Sequence, residues 1–78
     1  MIIQILGSGC TKCKTLEANA RLAIEEGGLD ASIKKITDLD QIMEMGVLMT
    51  PALAVDGTVL SVGKVLNPKQ VLTLVSQQ

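Results

Sequence analysis

The sequence predicts an α/β fold: a four-stranded mixed sheet flanked by three helices, in the order βαβαββα. Three observations predict it. An apolar run at Ile2, Ile3, Ile5 and Leu6 precedes a Gly7-Ser8-Gly9 turn and a long segment of helical period. Two apolar runs, 52–55 and 58–62, meet at Asp56-Gly57, a strong short signal for a two-residue hairpin. Asn67-Pro68 then caps and starts a last helical pattern in which Val71, Leu72 and Val75 face inward.

Each element follows from its residues. Residues 1–6 are nearly all apolar, which suits a central strand buried on both faces. In the helix that follows, Cys13, Leu16, Ala20, Ala23 and Ile24 share one face, while Glu17, Arg21 and Glu25 line another at i, i+4 spacing. Gly27-Gly28 supplies the left-handed positions that end it. The span 31–36 alternates weakly and reads as an edge strand, where lysines discourage further pairing. Asp38 is placed to start a short helix with Leu39, Ile42 and Met43 on its apolar side, and Gly46 stops it. A strand–helix–strand start needs a parallel crossover, and the hairpin then adds antiparallel strands.

Composition bounds the function. At 78 residues the chain is expected to form one domain, 1–78. With no Phe, Trp or Tyr, its core must be built from Ile, Leu, Val, Met and Ala. That absence argues against stacking of nucleic-acid bases, and a net charge of −1 removes the usual footprint of a DNA or RNA binder. No apolar run approaches the ~18 residues of a membrane helix. Met1-Ile2-Ile3 lacks the basic start of a signal peptide, so a cytoplasmic location is expected. Met43, Met45 and Met49 are expected first as core packing, with a substrate-facing patch as the second reading.

Cys10-Thr11-Lys12-Cys13 carries the candidate chemistry, and these are the chain's only cysteines. In a reducing cytosol such a pair is more often catalytic or metal-binding than structural. A helix N-terminus leaves backbone N–H groups without intrahelical partners and carries partial positive charge. In such settings a cysteine pKa of about 8.5 falls to roughly 3.5–7.5. Cys10, outermost at that terminus, is the expected nucleophile. Cys13 begins the apolar stripe and is expected to be shielded, as a resolving thiol should be. Lys12 and Lys14 add positive charge nearby, although a solvated helix face is the first reading of them. Thr50-Pro51 is the second feature: a proline ahead of a strand donates nothing to the ladder and occupies special positions.

Strand–Cys10-Thr11-Lys12-Cys13–helix, then Thr50-Pro51-Ala52-Leu53 before the Asp56-Gly57 hairpin, then Gly63 before a last helix, resembles the thioredoxin superfamily. The likeness is to its small, glutaredoxin-sized redox-active members, and it spans the whole chain. It implies a thioredoxin-like fold and thiol–disulfide oxidoreductase activity at Cys10 and Cys13. It further implies that Pro51 is cis, that the Thr50 backbone meets the substrate, and that Gly63 and Lys12 lie beside the bound chain. Protein disulfides would be the substrates and an upstream reductase the electron source, with the protein a monomer and no cofactor required.

The chain also departs from these relatives. Gly9 stands where thioredoxins proper carry Trp, and Thr11-Lys12 replaces Gly-Pro. Gln4 stands where they bury an acid, so proton handling at Cys13 must use water or another group. Gly63-Lys64-Val65-Leu66 lacks the acidic pair of glutaredoxins, which argues against glutathione as reductant. The alternative is a Cu(I) or zinc carrier using the same cysteine pair, since thiolates suit both metals. Against it, Ser8 replaces the methionine usual in small heavy-metal domains, and those domains end in a strand. A non-catalytic adaptor is disfavoured by the cysteine pair itself.

Overall fold

A computed structural model of the chain describes residues 1–9 and 11–77; Cys10 and Gln78 lie outside the described residues. Strands β1 (Ile2–Leu6), β2 (Ser32–Ile36), β3 (Ala52–Val55) and β4 (Thr58–Val62) form one sheet in the order β2-β1-β3-β4. β1 pairs β2 in parallel and β3 antiparallel, and β3 pairs β4 antiparallel. Helices α1 (Thr11–Gly27), α2 (Leu39–Glu44) and α3 (Pro68–Ser76) complete the predicted βαβαββα order and the mixed-sheet class.

Strand alternation decides which helix covers which face. Ile3 and Ile5 of β1 point into a core shared with Leu53, with Leu16, Ala20 and Ala23 of α1, and with Val71 and Val75 of α3. Leu6 points the other way, into a smaller core with Ile36, Val47, Ala52, Ala54 and Ile42 of α2. Aliphatic burial of this kind contributes roughly 1.5–3 kcal/mol per fully buried side chain, so a core without aromatic rings suffices. Where α1 ends, close approach replaces bulk: a Cβ on Gly27 would overlap Leu72 of α3.

Local chemistry terminates the elements as expected. Of the expected Gly27-Gly28 pair only Gly28 is left-handed (φ 59°), Gly27 remaining helical, and the Gly28 and Leu29 N–H groups donate to the Glu25 and Ile24 carbonyls, closing α1. Asp56 (φ 49°) and Gly57 (φ 90°) are both left-handed, as a type I′ hairpin requires. Asn67 and Gln70 form a reciprocal capping box at α3, with Pro68 in its first turn. The α2 expectation needs correction. Only Ile42 is buried there, while Leu39 and Met43 are 65% and 56% exposed. A single turn and a half has room to aim one apolar side chain at the sheet, so the other two face outward.

Glu17 ties α1 to the edge strand. Its carboxylate accepts from Arg21 at 2.8 Å and lies 3.5 Å from Lys35 of β2. The Arg21 hydrogen bond, aided by the Lys35 charge and opposed by partial burial, holds its pKa below the ordinary carboxylate value. A depressed folded pKa contributes stability that is complete above the unfolded value, about 4.3, and is lost as pH falls through the folded one. Glu17→Gln is therefore expected to lower stability by roughly 0.5 kcal/mol at pH 7. The deficit should vanish at the acid end of a series of urea-denaturation midpoints. A deficit that persists unchanged there would assign it to lost packing instead.

Candidate active site

Three segments converge where the C-terminal end of β1 meets the start of α1. Gly7 leaves β1, is buried, and donates its N–H to the Ile36 carbonyl at 2.9 Å. Cys13, in the first turn of α1, is 5% exposed, the shielded setting expected of it. Its sulfur occupies the space a Gly7 side chain would fill: a Cβ there would overlap Cys13 Sγ and lie 3.2 Å from Cys13 Cβ. The same point is 3.7 Å from Thr50 Cβ, so the loop ahead of β3 also borders Gly7.

The Thr50–Pro51 peptide bond is cis. Pro51 is fully buried and Thr50 exposed. The Pro51 carbonyl accepts the Gly63 N–H at 2.8 Å, which brings the end of β4 to this loop. Gly63 is left-handed (φ 72°), and a Cβ on it would lie 3.4 Å from Met49 Cε. Gly63 is thus held against Met49 and Pro51. Lys12 and Lys14 are exposed on the first turn of α1, and that turn carries no acid. The helix therefore presents its positive end beside Cys13 without a compensating side chain. The nucleophile assignment at Cys10 lies outside the described residues.

Gln4, the position at which thioredoxins proper hold an acid, does something else. It alternates with Ile3 and Ile5 and so faces the α2 side of the sheet, opposite the face covered by α1. Its Oε1 accepts the Gly57 N–H at 2.8 Å, bolting the hairpin turn to β1.

The methionines also differ from expectation. Met45 alone packs against the smaller core, whereas Met43 and Met49 are largely exposed, so the core-packing reading is corrected for both. Leu48 and Met49, just ahead of the cis-proline, and Val62 and Val65, on either side of Gly63 in sequence, are instead exposed apolar residues. Gly7 is the residue that sequence reasoning underrated. In the sequence it stands as part of a turn, and only its position between strand and cysteine pair hints at close approach. Among the described residues no three His, Cys, Asp or Glu side chains converge on a metal-sized site. No helix of the described residues is long and apolar enough to cross a membrane.

Comparison with known proteins agrees with this architecture. A solved structure described as that of a malarial protein superposes with a TM-score of 0.67, covering 97% of this chain and 93% of its own, at 17% identity. That similarity is one of fold. The thioredoxin-domain family profile matches residues 1–76. A protein named thioredoxin from Methanothermobacter thermautotrophicus is 45% identical over 76 residues, covering 97% of this chain and 99% of its own. Another of that name, from Methanocaldococcus jannaschii, is 38% identical over 71 residues, covering 91% and 81%. The match runs from β1 through α3, and the chain belongs to the thioredoxin family.

Proposed function

We propose that the protein is a thiol–disulfide oxidoreductase that reduces or exchanges protein disulfides through the Cys10/Cys13 dithiol. The observation that carries the reading is the shielded Cys13 sulfur, held at the positive end of α1 between Gly7 and the cis Thr50–Pro51 loop. Thioredoxin-family membership supports the redox character of the site.

In this reading the Cys10 thiolate attacks one sulfur of a substrate disulfide. A Cys10–substrate disulfide forms, the substrate S–S bond breaks, and the first substrate thiolate leaves to take a proton from solvent. Cys13 then loses its proton and attacks Cys10 Sγ, which releases the second substrate thiol and leaves an intramolecular disulfide. Substrate gains two electrons and two protons, and the dithiol loses the same. An upstream reductase returns them. With Gln4 engaged at Gly57, the Cys13 proton passes to water or to another group. Thr50 offers its exposed backbone to the substrate chain beside Pro51, while Gly63 and Lys12 flank it. The apolar surface at Leu48 and Met49 favours protein substrates over small charged disulfides.

The test is a redox titration. The protein is equilibrated across a dithiothreitol series, free thiols are alkylated, and the products are weighed by mass spectrometry. A reversible two-electron transition at Cys10 and Cys13, with reduction of insulin disulfides, is expected. A pair that never oxidises but binds Cu(I) tightly would overturn the reading.

A further inference from the structure

A second surface lies away from the cysteine pair, along the outer edge of the sheet. A groove of about 700 Å3 runs between β4 and α3, with Leu60, Leu66 and Leu74 supplying apolar walls. Lys64 and Lys69 are its only charged lining residues among the described ones. Both are exposed, and neither forms an ion pair among the described residues. The irregular pairing of β4 helps shape it. Val59 lies opposite Ala54 and Ser61 opposite Leu53, so Leu60 is an extra residue, and Leu60 and Ser61 both turn toward the α3 side. Ser61 Oγ is shielded from solvent and has no hydrogen-bond partner among the described residues. An unsatisfied buried hydroxyl is unfavourable, and an occupant with polar groups would relieve it.

The two sheet edges are treated differently. β2 carries Lys34 and Lys35, charges that discourage pairing with another chain. β4, Thr-Val-Leu-Ser-Val, carries no charge and is paired only through β3. Its open side therefore offers backbone donors and acceptors beside an apolar groove with a cationic rim, the combination that takes up an extended peptide.

We propose that the β4–α3 groove docks an extended, acidic segment of a partner protein. Aliphatic side chains of that segment lie against Leu60, Leu66 and Leu74, its carboxylates meet Lys64 and Lys69, and its backbone runs along β4. Charge selects this occupant over a second copy of the chain, because a two-fold contact here would set the same lysines against each other with no carboxylate in the groove among the described residues. The site does not depend on thiol chemistry. It does end at Val62 and Lys64, on either side of the Gly63 that bonds Pro51, so a partner seated there would reach the cis-proline loop.

The experiment uses the reduced, isotope-labelled protein and two capped pentapeptides, Glu-Val-Glu-Val-Glu and Lys-Val-Lys-Val-Lys, followed by NMR amide shifts. The acidic peptide is expected to move resonances of 58–64 and 66–74, and the basic one to move none. Raising salt from 0.05 to 0.5 M should weaken the binding. Lys64→Gln with Lys69→Gln should weaken it about fivefold, as loss of two rim charges predicts. Ser61→Ala should weaken it while leaving the melting temperature of the free protein at or above the wild-type value. Equal binding of both peptides, affinity indifferent to salt and to the lysine substitutions, or shifts at the same residues produced by protein concentration alone would overturn the proposal.

Discussion

Cys13→Ser is expected to stop turnover in insulin reduction and to leave Cys10 joined to its substrate as a stable mixed disulfide. The size of the effect follows from what Cys13 supplies. As a thiol only three residues along the same chain it attacks intramolecularly, and well-oriented intramolecular partners act at effective concentrations of roughly 10⁵–10⁸ M. Millimolar external thiol cannot replace that, so the rate should fall at least about 100-fold. Burial adds asymmetry: at 5% exposure, Cys13 is poorly placed to meet a protein disulfide directly. Cys10→Ser should therefore trap nothing. A hydroxyl at this buried position costs about 1–3 kcal/mol if unsatisfied, so Cys13→Ala serves as a second variant and should trap equally well. Mixed disulfides recovered on Cys13 in the Cys10→Ser protein would reverse the two roles.

The parts of this molecule legible in its sequence are those settled by chemistry within a few residues. Asp56-Gly57 must be a turn because both positions adopt left-handed backbone, and Asn67 with Gln70 satisfies the N-terminus of α3 without help from elsewhere. The stripe Cys13, Leu16, Ala20, Ala23 likewise predicts its own burial. What escaped was settled at long range. Leu39 and Met43 satisfy a helical apolar pattern, yet a six-residue α2 against a narrow sheet face can bury only Ile42. Gln4 reads as a missing acid, and its real partner, the Gly57 N–H, lies 53 residues away. Gly63 and Met49 are likewise distant in sequence and meet only because the Gly63 N–H closes on the Pro51 carbonyl. The cysteine pair and the burial of Cys13 were legible, whereas the contact between its sulfur and Gly7 was not.

That packing leads to the second large effect, at Gly7. Its φ is not positive, so alanine is compatible with the backbone, and the constraint on this position is contact alone. An added methyl would overlap Cys13 Sγ, and Cys13 Cβ at 3.2 Å and Thr50 Cβ at 3.7 Å leave it no room to retreat. Either the sulfur rotates out of its place or the first turn of α1 shifts. Overpacking a filled interior costs about 1–3 kcal/mol, offset by about 0.4–1 kcal/mol from the stiffer unfolded chain. The catalytic cost is larger, since a displacement near 1 Å lowers a positioned reaction about 100-fold. Gly7→Ala is thus expected to remain folded, with a modestly lower melting temperature and an insulin-reduction rate down by about two orders of magnitude. Gly46→Ala is the matched control. Gly46 is left-handed (φ 81°) with open space where a side chain would go, so alanine there strains the backbone by about 1–2 kcal/mol without touching the site. If stability loss alone governed activity, the two variants would fall together. A Gly7→Ala protein that melts early but reduces insulin at the wild-type rate would show that the Cys13 sulfur does not need the place this glycine keeps open.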